Sequence, residues 1–145
     1  MLSRIGVTIL IAVLLFGVQA AVVAAQPAVT AVRTGEHVGL TRLVLDVTEK
    51  VEFHTFTLAD PYRVVVDLSL LDWKVAASED DRRGVISKLR FGYFERRTSR
   101  MVIEALGPIE VRRAFLLPPQ GDWAYRFVID MAPVDEASFV NSVGA

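Results

Sequence analysis

The sequence lacks the residues that most catalytic sites require. Its 145 residues include no cysteine, which excludes disulfide bonds, thiol catalysis and an acylated lipoprotein anchor. Two histidines, His37 and His54, are present without a third ligand at the spacing of a zinc motif. A Gly-x-Ser-x-Gly elbow and a glycine-rich phosphate loop are also missing. We therefore predict a protein that is not an enzyme and that uses no metal or cofactor.

The sequence also lacks an excess of positive charge. Its formal net charge is −1, and removal of residues 1–25, where Arg4 is the single charged residue, leaves 15 Lys and Arg against 17 Asp and Glu. A slightly acidic chain is not expected to bind nucleic acid. The acidic run 79–81 resembles paired carboxylates, but it adjoins Arg82 and Arg83 and is predicted to be a solvated cluster in a loop.

Long apolar runs are confined to the N-terminus. Residues 5–18 are apolar apart from Thr8, follow Arg4, and precede small residues that end at Ala25. These features predict a Sec-type signal peptide over residues 1–25 and export of the mature chain. The alternative is an uncleaved anchor, but the run is shorter than the roughly 20 residues needed to cross a bilayer, and Gln19 interrupts it. We expect no membrane span after cleavage.

The remaining chain contains an internal duplication. Residues 32–37 return as 89–94, 41–46 as 99–104, 51–52 as 109–110, and 62–68 as 125–131. All of these segments are short, rich in Val, Ile, Phe and Tyr, and end at Gly, Pro or Asp, which is typical of strands.

Eight strands in two equivalent halves favour two stacked sheets, because a single flat sheet would leave an apolar face exposed. We predict an all-β sandwich with pseudo-twofold symmetry over residues 26–133, with halves at about 28–71 and 85–133. Residues 134–145 are expected to form a flexible tail.

An Arg-x-Val-x-acid pattern occurs four times. Its members are Arg42/Val44/Asp46, Arg63/Val65/Asp67, Arg100/Val102/Glu104 and Arg126/Val128/Asp130. The three members of each set point to the same side of a strand, and antiparallel pairing would place opposite charges across from each other. We expect Arg42 opposite Asp67 and Asp46 opposite Arg63. The arginines then have two compatible roles, as pairing partners between strands and as forks that bind ligand carboxylates.

Arginines and aromatic rings are the candidate ligand-binding residues. The predicted set is Arg33, Arg42, Arg63, Arg90, Arg100 and Tyr93. Aromatic rings can stack on the C–H face of a sugar, and Phe94, Trp73 and Trp123 are further candidates. The alternative for both tryptophans is that they cover the open ends of the sandwich.

The ordered motifs resemble one known family. Val32-Arg33-x-Gly35-x-His37, then residues 41–46, Phe56-x-Leu58 and residues 61–68 are similar to the AMIN domain. That family stands at the N-terminus of periplasmic N-acetylmuramoyl-L-alanine amidases and in some outer-membrane secretins. The resemblance implies a symmetric β-sandwich that binds peptidoglycan and directs its host protein to the division site or envelope machinery.

Three functions are compatible with this resemblance. The first is a periplasmic peptidoglycan-binding module without catalytic activity. The second is an adaptor that docks a sheet edge or polar face onto a secretin, pilus or division protein. The third is the N-terminal part of an amidase whose catalytic domain lies outside this sequence. The sequence leaves open whether sugar or stem peptide would be bound, and by which sheet face.

Overall fold

The computed structural model describes residues 20–21, 25–78 and 81–143. Apart from residues 20–21 and 25, the predicted signal peptide lies outside this part of the chain, and so do Glu79 and Asp80. No helix in the described part is long and apolar enough to cross a membrane.

Strands dominate the described chain, as the short β-rich segments predict. The strands are β1 (Ala28–His37), β2 (Leu40–Val47), β3 (Phe53–Leu58), β4 (Arg63–Ser69), β5 (Asp72–Trp73), β6 (Ile86–Glu95), β7 (Thr98–Ala105), β8 (Ile109–Leu117) and β9 (Tyr125–Pro133), followed by helix α1 (Glu136–Ser142). They form a five-stranded sheet A in the order β5-β1-β2-β9-β8 and a four-stranded sheet B in the order β3-β4-β7-β6. The predicted two-sheet β-sandwich is confirmed.

The duplication appears in the topology. Strands β1, β2, β3 and β4 of the first half correspond to β6, β7, β8 and β9 of the second half. When each strand in the order β1-β2-β9-β8 of sheet A is replaced by its counterpart, the order becomes β6-β7-β4-β3, which is the strand order of sheet B. Each sheet therefore takes one hairpin from each half, and the pseudo-twofold operation exchanges the two sheets.

This exchange corrects the predicted strand partners. Arg42 lies opposite Asp130, and Asp67 lies opposite Arg100, so each pair joins two different halves. As predicted, the strands pair antiparallel with arginine opposite acid. The prediction that both members of each pair belong to the same half is wrong. The charge pattern is alike in all four strands and cannot select a partner. The short connection at 48–52 carries the chain from sheet A to sheet B, and so places strands of one half in different sheets.

The core lies between the two sheets. Alternation along β2 predicts that Leu43, Leu45 and Val47 face inward, and all three are fully buried. Phe127 of β9 meets Phe53 of β3 with ring centroids 4.8 Å apart, which links the two sheets. Because apolar side chains alternate inward, the polar side chains of the central strands are left on the two outer faces.

The crossover between the halves is more ordered than a solvated loop. It contains β5, which pairs in parallel with β1 at the edge of sheet A. Trp73 of β5 stacks on Phe91 of β6, with centroids 4.4 Å apart, at the edge where the sheets meet. Asp81, predicted to be solvated, is instead buried, and its carboxylate accepts a 2.8 Å hydrogen bond from the backbone N–H of Ser78.

The tail also differs from the expected flexible segment, because it contains helix α1. Asp135 caps the helix by accepting a 2.7 Å hydrogen bond from the N–H of Ser138. Phe139 is fully buried against the edge of Tyr62, and the hydroxyl of Tyr62 donates to Glu136. A helix of seven residues with one buried apolar residue is too short to show a periodicity in the sequence.

Candidate functional site: the two outer faces of the sandwich

The outer side of sheet A, named face A, is a grid of three rows that run across β1, β2, β9 and β8. The first row, nearest the β1–β2 hairpin, consists of Gly35, Arg42, Asp130 and Arg113. The middle row consists of Arg33, Val44, Val128 and Phe115. The last row consists of Ala31, Asp46, Arg126 and Leu117.

The outer side of sheet B, named face B, repeats this grid across β6, β7, β4 and β3. Its first row consists of Gly92, Arg100, Asp67 and His54. Its middle row consists of Arg90, Val102, Val65 and Phe56. Its last row consists of Lys88, Glu104, Arg63 and Leu58. The two faces thus share most residue types at matching positions.

The first row of face A holds two arginines on one buried carboxylate. Nε and Nη2 of Arg42 donate to the two carboxylate oxygens of Asp130 over 2.7 and 2.8 Å, and Nη2 of Arg113 donates to the same group over 3.2 Å. Asp130 is 1% exposed, whereas the side chains of Arg42 and Arg113 are 47% and 62% exposed. The anion therefore lies beneath the two cations.

This arrangement fixes the charges of the row. The hydrogen bond from Arg42, reinforced by Arg113, lowers the pKa of Asp130 although burial opposes this. The same hydrogen bond raises the pKa of Arg42. The Arg42–Asp130 pair is therefore charged at neutral pH. Each guanidinium has more N–H donors than these bonds use, and the remaining donors are available to a ligand.

The middle and last rows of face A are joined by Arg33. Its Nη2 donates to Asp46 over 2.6 Å, and its guanidinium lies 4.7 Å from the ring centroid of Trp123. Arg126 lies 5.4 Å from the same ring. Trp123 belongs to the long turn between β8 and β9, and it is 48% exposed. The turn thus places an aromatic ring beside two arginines at one end of the face.

An open groove of about 670 Å³ lies over face A. Its lining includes Arg33, Arg42 and Arg113, together with Gly35, His37 and Val44. A Cβ atom at Gly35 would meet nothing within 4 Å, so the missing side chain leaves open space beside Arg42. The groove therefore presents three guanidinium groups around an apolar valine.

The first row of face B has the same pair but different surroundings. Nε and Nη2 of Arg100 donate to Asp67 over 2.6 and 2.9 Å, as Arg42 does to Asp130. The guanidinium carbon of Arg100, however, lies 3.5 Å from the ring centroid of Phe94 and 5.6 Å from that of Phe56. The Arg100 side chain is 26% exposed, about half the value for Arg42. Phe94 thus covers the arginine that corresponds to Arg42.

The structure distributes the predicted ligand-binding residues over both faces. Arg33 and Arg42 line the groove of face A, while Arg90 and Arg100 occupy the matching positions of face B. Arg90 donates to Glu104 over 3.0 Å. The predicted set therefore does not form a single site.

Arg63 and Tyr93 depart most from the arrangement expected of ligand-binding residues. Arg63 donates to the backbone carbonyls of Ala59 and Pro61, so its guanidinium holds the turn before β4. Tyr93 lies opposite the buried Ser99, which places it on the core side of β6, and it is 70% exposed at the end of that strand. It does not join the arginines of face B.

Sequence reasoning missed Arg113, Asp130 and His37 as members of the groove. Strand alternation would place Arg112 on the outer face, because Val111 faces inward opposite Met131. A β-bulge between Val111 and Arg113 reverses the alternation and brings Arg113 outward, opposite Asp130. The sequence repeat matches His37 with Phe94, although the strand register makes Glu95 the counterpart of His37.

Among residues 20–21, 25–78 and 81–143, no group of three histidine, cysteine or acidic side chains is arranged to hold a metal ion. The groove itself offers the guanidinium groups of three arginines, the buried carboxylate of Asp130, the exposed carboxylate of Glu36 and the apolar side chains of Leu40 and Val44. Arginine forks of this kind match carboxylates by geometry and by charge. The arrangement is suited to binding an anionic ligand.

Comparison with known proteins identifies the family of the chain. The family model described as the AMIN domain matches residues 28–116. The chain is also similar to the N-acetylmuramoyl-L-alanine amidase AmiC of Neisseria meningitidis serogroup B, with 33% identity over 116 residues that cover 74% of this chain and 27% of that protein. The chain thus spans about a quarter of the length of this relative. Since the family model covers more than half of its residues, the chain belongs to the AMIN domain family.

Proposed function

We propose that this chain is a non-catalytic peptidoglycan-binding module of the periplasm, and that the groove of face A is its ligand site. Membership of the AMIN family and similarity to an amidase support a role at the cell wall. The predicted signal peptide supports export. The single observation that carries the proposal is the cluster of Arg33, Arg42 and Arg113 around an open groove.

Peptidoglycan offers a matching chemistry, because its stem peptides carry carboxylates. Arg42 and Arg113 hold their positions through Asp130, so a ligand carboxylate would meet guanidinium groups that are already oriented. Ordered arginines lose less conformational entropy on binding than free ones. Val44 between the arginines supplies an apolar contact for the peptide or sugar backbone.

The test is co-sedimentation of the purified protein with sacculi. We expect the protein to pellet with sacculi at low salt and to be released as salt is raised, since exposed charges are screened beyond about 8 Å at physiological ionic strength. Protein that stays in the supernatant at every salt concentration would overturn the proposal.

A matched pair of variants locates the site. Arg113→Ala removes a cation from the groove and leaves the Arg42–Asp130 pair in place, so folding is expected to persist. Arg112→Ala removes the same charge from the same strand, but Arg112 pairs with Glu110 outside the groove. We expect binding about tenfold weaker for Arg113→Ala, the size of one lost charge-assisted hydrogen bond, and unchanged binding for Arg112→Ala. Equal binding by the two variants would place the ligand elsewhere.

The absence of catalysis is tested on the same material. We expect no release of stem peptides from sacculi, with or without added zinc. Release by protein free of contaminating amidase would show that the chain is an enzyme.

A further inference from the structure

The two outer faces carry matching ion pairs, which together are named the charged frame. We use this name for the pairs Arg33–Asp46 and Arg42–Asp130 on face A and their counterparts Arg90–Glu104 and Arg100–Asp67 on face B. All four pairs are within 2.6 to 3.0 Å. If the frame alone bound the ligand, the protein would have two equivalent sites.

The first-row arginine of the frame is open on face A and covered on face B. His37 is the last residue of β1 and lies opposite Leu40, whereas Phe94 is the extra residue of a β-bulge between Tyr93 and Glu95 near the end of β6. His37 is exposed and lines the groove of face A. Phe94 lies over Arg100 at 3.5 Å, and so a ring of the protein itself occupies the space where a ligand would contact the guanidinium.

The net charge of the first row also differs between the two faces, and this difference also favours ligand binding on face A. On face A, Asp130 receives hydrogen bonds from Arg42 and Arg113, which leaves the row with an unbalanced positive charge. On face B, the position of Arg113 is taken by His54, and Asp67 balances Arg100. An anion is therefore attracted more strongly to the first row of face A.

From these two differences we infer that the module is a one-sided receptor, in which face A takes a carboxylate-bearing peptide fragment of peptidoglycan and Phe94 closes face B. The difference between the faces is made by Phe94, a bulge residue of β6 that has no counterpart in β1. This inference rests on the proposed function, because it assigns the ligand of the same groove.

The experiment is calorimetric titration of the protein with a soluble disaccharide–tetrapeptide fragment released from sacculi by a muramidase. We expect one binding site per chain. The same fragment with its carboxylates amidated should bind at least about tenfold more weakly, since it lacks the charged acceptors of the arginine forks.

Substitutions of His37 and Phe94 are expected to give opposite results. His37→Phe should weaken binding by about tenfold, because His37 lines the same groove as Arg42 and a larger apolar ring there would narrow it. Phe94→Ala should add a second, weaker site by uncovering Arg100. Tyr93→Ala is the matched control, since this neighbouring ring lies on the core side of β6, and it should leave one site.

Thermal melting of each variant verifies that it is folded, and Phe94→His, which introduces a smaller and polar ring, serves if Phe94→Ala melts early. Two equal sites in the parent protein, or one site in both Phe94 variants, would overturn the inference while leaving the proposed function intact. A parent protein that binds neither the fragment nor sacculi would overturn both.

Discussion

Faces A and B of the sandwich are built on the same grid, yet they differ in access. On both faces an arginine forks onto an aspartate of the neighbouring strand, and a glycine lies beside that arginine. Face A adds an arginine from β8 and a tryptophan from the β8–β9 turn, while face B adds a phenylalanine over its own arginine. The comparison separates two roles of the arginines, because strand pairing needs the frame on both faces and ligand binding needs it uncovered.

The largest expected difference between the faces is in the free energy of unfolding. Asp130 is 1% exposed and holds two arginines, whereas Asp67 is 24% exposed and holds one. We expect Asp130→Asn to lower the free energy of unfolding by about 2–3 kcal/mol and Asp67→Asn by about 1 kcal/mol, since a buried carboxylate leaves its cations unpaired when it is removed. Urea denaturation measures both. Equal losses would mean that the second arginine adds nothing to the first row of face A.

Lowering the pH should reveal the contribution of the Asp130 carboxylate to stability. Because Arg42 lowers the folded-state pKa of Asp130 below the ordinary value of 3.8, its contribution to stability is fully present above about pH 4 and is lost as the pH falls through the lowered pKa. The stability of Asp130→Asn should therefore approach that of the parent below pH 4, as followed by urea midpoints over a pH series. A constant gap between the two proteins down to pH 2 would contradict this assignment.

Filling the glycine beside each arginine should affect binding on face A alone. Cβ atoms at Gly35 and at Gly92 would meet nothing within 4 Å, so leucine is expected to fit at either position. Gly35→Leu should reduce sacculus binding by about tenfold by occupying the groove, and Gly92→Leu should leave it unchanged. Co-sedimentation compares them. A loss of binding in Gly92→Leu equal to that in Gly35→Leu would indicate two active faces.

The smallest effect is expected for Trp123. Its ring lies beside Arg33 and Arg126 at one end of face A, where a cation–π contact contributes about 0.5–1 kcal/mol. Trp123→Ala should weaken fragment binding by about threefold with little change in melting temperature. Calorimetric titration provides the affinity. A complete loss of binding would instead make Trp123 the main contact with the ligand.

The sequence predicts the sheets and the register well because both follow from local patterns. Alternation placed Leu43, Leu45 and Val47 in the core, and the repeated Arg-x-Val-x-acid pattern set antiparallel pairing. The pattern did not identify which strand pairs with which, because Asp67 and Asp130 occupy the same place in their halves. That choice depends on where the chain crosses between sheets, which is a property of the whole fold.

The site was predicted only in part, for local reasons. Arg33 and Arg42 were found because they lie on regular strands. Arg113 was missed because a bulge reverses the side of β8 on which it lies. The different exposure of the arginines on the two faces could not be predicted from the sequence either, since the contact of Phe94 with Arg100 depends on a side-chain position at the end of β6.

The most direct test of the central claim uses the backbone N–H groups of Gly35 and Gly92 as matched reporters. Each lies opposite the first-row arginine of its own sheet, so the two report on matching positions of the two faces. In ¹⁵N-edited NMR spectra of the protein titrated with the disaccharide–tetrapeptide fragment, the account predicts that the Gly35 signal shifts and saturates while the Gly92 signal stays in place. Equal shifts of both signals, or a shift of Gly92 alone, would contradict it.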